Sequence, residues 1–400
     1  MKVLVVCQHY APEPFQVTEI CEDLVRRGHQ VTAVVGLPNY PSGIVPKEYK
    51  WFRKRREYQN GVEIRRCFEI GRKNTKIGLA INYVSYMISA SWKVLFLKRD
   101  FDVVYAYSTS PVLMSFPASL LRCVCKKKLM IYVLDIWPAC LAAMNVYEGS
   151  WLYAVMKRVS KWIYQRADVL TYSSKRFQGY LERVHGIRVS DEDYLPQFAN
   201  DLFSLSPQSG KDEVLNLVFA GNIGKMQDIQ TFIRAADILR NEPIRWHILG
   251  DGSDFEACVA LTKTLALEGI MTFYGRLPLE DLPHYYSMAD AMLVSMRNNI
   301  SVNDTLPGKV QGYMAVGKPI LGSIMGETPY ILEQAQCGLC APAENPEAFA
   351  EIVRQFLILP SREQMGKNAR DYYENHFTKT HHMDRLELLL KKMAKAEVIP

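Results

Sequence analysis

Short apolar runs of strand length alternate with segments of helical periodicity along this chain, and this alternation constrains the fold most. The run at 2–7 reads KVLVVC, and apolar residues then recur at helical spacing from Val17 to Val25 until Gly28. A second apolar run, VTAVVG at 31–36, completes a strand–helix–strand unit. Strands separated by helices pair in parallel and are covered on both faces. The pattern predicts an α/β protein.

The alternation occurs in two series, which predicts two domains. After the first unit, the first series continues with apolar runs at 101–108, 128–135 and 167–174. A polar stretch, DLFSLSPQSGKDE at 201–213, is interpreted as a linker. The second series has apolar runs at 215–221, 244–250, 270–275, 291–295 and 319–323. We predict an N-terminal domain over 1–200, a C-terminal domain over 214–380, and a final helix within 381–400.

Both domains are predicted to be Rossmann-like, doubly wound parallel sheets. In such sheets, ligands bind beyond the carboxyl ends of the strands. Two facing domains would place a cleft between those ends, so candidate functional residues are sought directly after the strands. The sequence of the final helix does not indicate which surface it packs against. The N-terminal domain is one candidate.

Composition favours a soluble protein of a reducing compartment. Apolar residues make up 48% of the chain and charged residues 22%, which is typical of globular domains. Nine scattered cysteines indicate the cytoplasm rather than a disulfide framework. The first apolar run meets Pro12 and is too short for a signal peptide. Cys337 and Cys340 have no second CxxC or nearby His, so no metal site is predicted.

Positive charge is concentrated at 47–61, KEYKWFRKRREYQNG, where aromatic residues are interleaved with Lys and Arg. Such a segment suits an anionic membrane surface, and a solvated surface loop is the alternative. The following apolar segment, at 79–97, has Lys93 as its one charge. Polar residues interrupt it, so we expect a buried or half-buried helix, with an interfacial helix as the alternative.

The residues after the strands of the second series share glycine and positive charge. Their loops read GNIGK at 221–225, GDG at 250–252, GRLP at 275–278 and NDTLPGK at 303–309. Glycine permits close backbone approach to a ligand, and helix starts favour phosphate. Lys225, Arg276 and Lys309 add cations, which together predict a ligand that contains phosphate. None of these loops is a GxGxxG or Walker A pattern, so NAD and P-loop chemistry are not supported.

The segment at 303–309 is predicted to start a helix at this site. Thr305 or Leu306 is expected to cap the helix, and Pro307 fits its first turn because no hydrogen-bonded N–H is needed there. Gly308 would let a ligand approach the backbone, and Asp304 is positioned to accept hydrogen bonds from sugar hydroxyls. A nucleotide sugar presents a diphosphate and hydroxyls together, and is the predicted ligand.

These motifs, in this order, resemble those of family-4 retaining glycosyltransferases with the GT-B fold, over essentially the full length. The similarity is closest to bacterial enzymes that build capsule and O-antigen polysaccharides. The resemblance implies a nucleotide-sugar donor, a glycan or lipid-linked acceptor bound by the N-terminal domain, no metal or other cofactor, and no nucleic-acid partner. The motifs are YAPEPF, GLPNYPSG, DIWP, FAGNIGK, LGDG, YGRLP and LPGKVQGYMAVGKPIL.

The match to the family is incomplete on the donor side. Asn222 and Gln227 occupy the positions of the family's Arg and Lys that hold the donor diphosphate, and Lys225 is a candidate substitute. Asp304 and Gly312 occupy the positions of the family's paired glutamates. Asp304 can keep the contact with the sugar hydroxyls, whereas Gly312 cannot hydrogen-bond a ribose. The resemblance implies donor contacts from Gly221, Asn222, Gly224, Gly250, Gly252, Arg276, Thr305, Pro307 and Gly308.

On the acceptor side, the family's glycine-rich first loop is replaced by PEPFQVTE, which has no glycine. Asp135 in DIWP lies at a strand end and is expected to face the acceptor or the donor, with capping of the following helix as the alternative. The acceptor side is expected to include His9, Glu13, Gln16, Thr18 and Asn39.

The implied reaction is a front-face displacement in which cations and a helix dipole stabilise the departing diphosphate. Lys225, Arg276 and Lys309 are the expected cations, and Asp304 is expected to orient the donor sugar. Location at the inner face of the cell membrane is expected. Two alternatives remain, a sugar-nucleotide epimerase of GT-B type and a non-catalytic two-lobed sugar-binding protein. An epimerase would need acid–base groups in the cleft and no membrane patch.

Overall fold

The computed structural model describes residues 1–51, 53–73, 75–200, 203, 214–299 and 303–395. They form two compact units, one of Met1–Leu195 together with the chain from Met383 onward, and one of Pro196–His382. Each unit contains its own parallel sheet, as the sequence predicts. The predicted linker at 201–213 lies outside the described residues except for Phe203.

The N-terminal unit contains a seven-stranded sheet within the described residues. Its strands are β1 Lys2–Val6, β2 Gln30–Val35, β3 Arg56–Gln59, β4 Val62–Arg66, β5 Val103–Ser108, β6 Lys128–Val133 and β7 Val169–Tyr172. Their order is β3-β4-β2-β1-β5-β6-β7, and neighbours pair in parallel except for β3 with β4. β1 and β5 are buried along nearly their whole length, which explains their continuous apolar sequences.

The C-terminal unit contains a six-stranded sheet in the part of the chain that the structure describes. Its strands are β8 Leu215–Ala220, β9 Ile244–Leu249, β10 Met271–Gly275, β11 Ala291–Ser295, β12 Ile320–Ser323 and β13 Gly338–Ala341. All pair in parallel, in the order β10-β9-β8-β11-β12-β13. β8 to β12 fall on the five predicted runs, and β13 adds an edge strand.

Helices connect the strands and cover both sheets. In the N-terminal series they are α1 Val17–Arg26, α2 Lys76–Leu95, α3 Phe116–Cys125, α4 Trp151–Tyr164 and α5 Arg176–Tyr180. In the C-terminal series they are α6 Ile229–Ile238, α7 Phe255–Thr264, α8 Leu282–Met288, α9 Gly308–Ala315, α10 Glu327–Gln334, α11 Pro346–Ile358, α12 Arg362–His376 and α13 Lys379–Lys395. α1 buries Val17, Ile20, Cys21 and Leu24, as its periodicity predicts.

The basic segment at 47–61 folds partly into the edge of the first sheet. β3 and β4 form an antiparallel hairpin that turns at Asn60 and Gly61, with φ of 47° and 82°. Tyr49, one of the aromatic residues interleaved in this segment, is buried. Its ring lies 4.7 Å from the Arg66 guanidinium. Trp51, in contrast, is 87% exposed.

The final helix, α13, contacts the first strand–helix–strand unit from Met383 onward. Arg27 Nη1 lies 2.6 Å from Asp384 Oδ1, and His29 Nε2 lies 2.8 Å from Glu387 Oε1. His29, which lies between the α1 stop at Gly28 and the start of β2, therefore has a partner in α13.

Candidate functional site

The glycine loops of the C-terminal unit meet at the carboxyl edge of its sheet. Because β8, β9 and β10 are parallel neighbours, the loops that follow them emerge side by side. The Gly221 N–H donates to Leu249 O at 3.0 Å, and the Gly250 N–H donates to Gly275 O at 2.8 Å. These hydrogen bonds continue the sheet by one residue beyond the strands and hold the loops together.

Two of these glycines allow the loops to contact each other. Gly250 has φ of +133°, and a Cβ there would lie 1.8 Å from Gly221 O. Gly252 has φ of +159°, and its Cβ would lie 2.5 Å from Ile223 O. A side chain at either position would therefore separate the loops. The structure gives both glycines a packing role, and their contact with a donor stays a prediction.

Asn222 and Gln227 hold the first loop in shape. Asn222 Nδ2 donates to Gln227 Oε1 at 2.9 Å, and the Gly224 N–H donates to the same oxygen at 3.1 Å. Asn222 and Gln227, which were predicted to stand at the positions of the family's cations, are therefore bonded to each other across the loop. Any diphosphate charge must be met by other side chains.

The start of α9 differs from the sequence prediction. Pro307 has ψ of 131° and precedes the helix, whose first residue is Gly308. The expected placement of Pro307 in the first turn is wrong because its backbone is extended. Capping by Thr305 or Leu306 is also wrong, since no side chain caps α9. Leu306 is instead buried in the apolar core of the unit, which anchors the loop.

Lys309, in the first turn of α9, directs its ammonium toward the end of β8. Its Nζ is buried, has no hydrogen-bond partner among the described residues, and lies 3.8 Å from the centroid of the Phe219 ring. A Cβ on Gly221 would lie 2.9 Å from this Nζ, so Gly221 provides the space that the ammonium occupies. Burial lowers the pKa of Lys309 to about 7.

The other predicted donor-side charges are placed differently. Asp304 is buried just before α9, at 9% exposure. Lys225 and Arg276 are exposed in the loops that follow β8 and β10. Of the three predicted cations, Lys309 is the one whose ammonium is buried beside the glycine loops.

Gly312 faces an aromatic ring. A Cβ at Gly312 would lie 3.8 Å from Phe203 Cδ2, and the Phe203 ring stacks on Tyr286 with centroids 5.1 Å apart. Gly312, which was predicted to stand at the position of the family's second glutamate, therefore packs against an apolar surface. Ribose recognition by a carboxylate at this position does not occur in this chain.

In the N-terminal unit, the structure brings His9, Glu13 and Asn39 together at the carboxyl ends of β1 and β2. His9 Nδ1 lies 2.8 Å from Glu13 Oε2. Glu13 Oε1 accepts hydrogen bonds from the backbone N–H groups of Asn39 at 2.7 Å and Tyr40 at 2.6 Å. The His9 ring stacks on Phe15 at 4.4 Å. All three predicted side chains are buried.

Glu69 extends this cluster, and the sequence analysis missed it. Its Oε1 accepts hydrogen bonds from Gln8 Nε2, Asn39 Nδ2 and Asn82 Nδ2, at 2.8, 2.9 and 2.6 Å. Its Oε2 is buried without a hydrogen-bond partner among the described residues. Burial raises the pKa of Glu69 to about 8, against the effect of these hydrogen bonds. The carboxyl is therefore largely neutral at pH 7.

We expect Glu69→Gln to flatten the pH dependence of unfolding. The folded-state pKa of Glu69 is raised, so its stabilising contribution is complete below the ordinary pKa and is lost as pH rises through about 8. The slope is at most about 1.4 kcal/mol per pH unit. Urea midpoints of wild type and Glu69→Gln between pH 5 and 8 measure this, with exposed Glu48→Gln as control. Equal slopes in all three proteins would contradict it.

The remaining N-terminal candidates lie in the segments that follow β1 and β6. Thr18 Oγ1 accepts a hydrogen bond from the Ala11 N–H at 3.0 Å and so holds the loop before α1, and Gln16 directly precedes that helix. Asp135 follows β6 and is half-buried. Burial raises the pKa of Asp135, and hydrogen bonding to Ser110 opposes the rise. The following 3₁₀ turn starts at Ala139, so the capping alternative for Asp135 is wrong.

Comparisons with known proteins match both units of the chain. A family model described as "Glycosyl transferase 4-like domain" matches residues 15–196, and one described as "Glycosyl transferases group 1" matches 204–372. The probable glycosyltransferase WbjE of Pseudomonas aeruginosa is 26% identical over 312 residues, 73% of this chain and 76% of the relative.

Two further likenesses extend over nearly the whole chain. The putative colanic acid biosynthesis glycosyl transferase WcaI of Escherichia coli K12 is 23% identical over 400 residues, 94% of this chain and 96% of the relative. The structure of HepE from Anabaena in complex with UDP-glucose matches with a TM-score of 0.69 and 14% identity, covering 98% of this chain and 100% of that chain. These matches do not favour the epimerase or the two-lobed binding protein.

Proposed function

Because this chain belongs to the family-4 glycosyltransferases, which have the GT-B fold, we propose that it transfers a sugar from a nucleotide-sugar donor to a lipid-linked glycan, with retention of the anomeric configuration. Its activity as a glycosyltransferase of polysaccharide biosynthesis follows from the family. The donor contacts, the acceptor and the stereochemistry are the proposal, and they are argued from the residues described above.

The observation that carries the donor proposal is the buried ammonium of Lys309. A buried amino group without a hydrogen-bond partner destabilises a fold unless a ligand supplies the missing charge. Lys309 lies in the first turn of α9, whose N-terminus has no side-chain cap and favours an anion. The diphosphate of a nucleotide sugar supplies two charges at this position. Exposed Lys225 and Arg276 are the further candidates for contact with it.

The proposed reaction breaks the bond between the anomeric carbon and the β-phosphate oxygen, and the bonding electrons remain on that oxygen. The acceptor hydroxyl forms the new bond on the same face of the sugar, and its proton passes to the departing phosphate. Lys309 and the α9 N-terminus stabilise the charge that develops on the phosphate, and this step needs no metal. Asp304 accepts hydrogen bonds from the sugar hydroxyls and orients the ring.

The acceptor is assigned to the N-terminal unit. His9 and Glu13 form a hydrogen-bonded pair, and Glu13 fixes the backbone of Asn39, so this cluster supports hydroxyl recognition. Asp135 follows β6, at the same edge of the sheet, and it is the further candidate for contact with the acceptor. A lipid-linked glycan would place the protein at the cytoplasmic face of the membrane, where the exposed cations of 47–61 meet anionic lipid.

The donor is tested with a thermal-shift panel of UDP-, GDP-, ADP- and dTDP-sugars and the matching nucleoside monophosphates. UDP-sugars are the first candidates because the similar HepE was solved with UDP-glucose. A ligand at a hundredfold excess over its Kd stabilises the folded state by about 2.7 kcal/mol. We expect one nucleoside diphosphate series to raise the Tm and its monophosphate to be weaker. No shift with any diphosphate would overturn the proposed donor site.

A further inference from the structure

We propose that the exposed face of α2 docks on an anionic lipid bilayer. This face is defined by Ile77, Ile81, Val84, Ile88, Trp92 and Phe96. The inference deepens the proposed function, on which it rests for the lipid-linked acceptor, by assigning the surface that meets the membrane. It moves the main contact from the hairpin segment at 47–61 to a helix.

The two faces of α2 have different surroundings. One face of the helix is buried in the N-terminal unit, and it carries Gly78, Asn82, Tyr86, Ala90 and Val94. The opposite face carries the six apolar side chains named above at spacings of three and four residues. Ile77 is 75% exposed, Trp92 69% and Phe96 72%. A solvent-exposed apolar stripe of this length indicates a binding surface.

The chain that leaves β4 widens this apolar face. The Ile70 N–H donates to Ser85 Oγ at 3.0 Å, and Asn82 Nδ2 donates to Ile70 O at 2.7 Å. Ser89 Oγ also donates to Phe68 O. Phe68 and Ile70 are thereby held along the side of α2, and both are exposed. The rigid attachment gives a preformed surface rather than one that must fold on binding.

The charges around this face indicate which kind of partner binds it. Between Ile70 and Arg99 the sequence has six Lys and Arg and no Asp or Glu. Lys73, Lys76, Lys98 and Arg99 are exposed at the two ends of the helix. A second copy of this chain would bring the same cations face to face, whereas anionic headgroups complement them. Charge complementarity therefore favours an anionic bilayer.

The geometry of α2 suits a helix that lies in the membrane interface. No helix among the described residues has the length and hydropathy to cross a bilayer. An amphipathic helix instead lies parallel to the surface, with apolar side chains among the acyl chains and cations at the headgroups. Trp92 and Phe96, whose rings are 4.8 Å apart, add the aromatic character common at that depth.

Vesicle flotation tests this surface with the full-length protein. The vesicles contain either phosphatidylcholine alone or phosphatidylcholine with about one-third phosphatidylglycerol. The variant combines Ile81→Gln, Ile88→Gln and Trp92→Gln, all at exposed positions, so the fold is kept. A matched control combines Ile238→Gln, Tyr330→Gln and Ile358→Gln, which are exposed apolar positions of the C-terminal unit.

Wild type and control are expected to float with anionic vesicles, and the α2 variant to lose at least tenfold in partitioning. Equal flotation of the α2 variant, or no flotation of wild type, would overturn the proposal. A wild-type dimer in sedimentation that the α2 variant converts to monomer would assign the face to a second copy instead. The nucleotide thermal shift, measured without lipid, reports the proposed donor site independently. If the wild type floats but no nucleotide raises its Tm, the donor proposal fails and the membrane proposal is unaffected.

Discussion

Lys309→Met is expected to lower kcat/KM for the donor at least 100-fold without lowering the melting temperature. The substitution removes the buried cation that lies beside Gly221, at the first turn of α9. A 100-fold loss corresponds to about 2.7 kcal/mol of transition-state stabilisation, typical for one preorganised charge. Methionine keeps an unbranched side chain, one atom shorter than lysine, and replaces the charged end by an apolar one beside Phe219. Steady-state kinetics and thermal unfolding measure the two effects.

The stability of the same variant depends on pH in a defined direction. The folded-state pKa of Lys309 is about 7, below its ordinary value of 10.5. Between these values, the unfolded chain binds a proton that the folded chain does not, so wild-type stability rises with pH across that window. Lys309→Met lacks this contribution and is expected to be the more stable protein at pH 6. Its advantage should disappear toward pH 10.

The matched control for this prediction is Lys263→Met, an exposed lysine in the last turn of α7. It should change neither the donor kinetics nor the pH dependence of unfolding. Donor kinetics of Lys309→Met within threefold of wild type would contradict the assignment of Lys309. A variant less stable than wild type at pH 6 would show that the ammonium is stabilised by the protein alone.

Glu13→Leu is expected to lower kcat/KM for the acceptor by 100-fold or more while leaving the donor Kd within twofold of wild type. The substitution leaves the Asn39 and Tyr40 N–H groups without their acceptor and His9 without its partner. Each buried group left unsatisfied costs about 1–3 kcal/mol. The loop at Asn39 and Tyr40 should therefore lose its fixed shape, and the melting temperature should fall.

Glu13→Gln separates recognition from stability at this position. Its amide oxygen can still accept from both backbone N–H groups, so the loop should persist with a smaller loss of activity. Exposed Glu48→Leu in the same unit controls for the removal of a carboxylate. If Glu13→Leu weakened donor and acceptor equally, the separate acceptor role of this cluster would be refuted.

Most of the strands that the sequence predicted are buried on both faces of their sheets, and the edge strand β10, which is only partly buried, is an exception. β1, β5 and β8 have continuous apolar sequences because neither face contacts water. The hairpin of β3 and β4 was missed because β3 is an exposed edge strand with charged side chains. Its Asn60-Gly61 turn is a signal that could have indicated it.

In the candidate site, features set by local sequence were predicted, whereas features set by contacts between distant residues were not. Lys309 was recognised as a cation after a Pro-Gly turn, but its burial depends on Phe219 and Gly221, which are distant in sequence. Glu69 has no motif and gains its role from side chains on three other segments. The helix cap was mispredicted because the backbone of Pro307 is extended and Leu306 is buried in the core.

The most direct test of the donor assignment is the proton uptake that accompanies nucleotide binding. Calorimetry of UDP binding at pH 8, in buffers of different ionisation enthalpy, counts the protons taken up. Because the pKa of the free Lys309 is about 7, most molecules are neutral there and must gain a proton to meet the diphosphate. We expect uptake of nearly one proton by wild type and none by Lys309→Met. Equal uptake by both proteins would contradict the account.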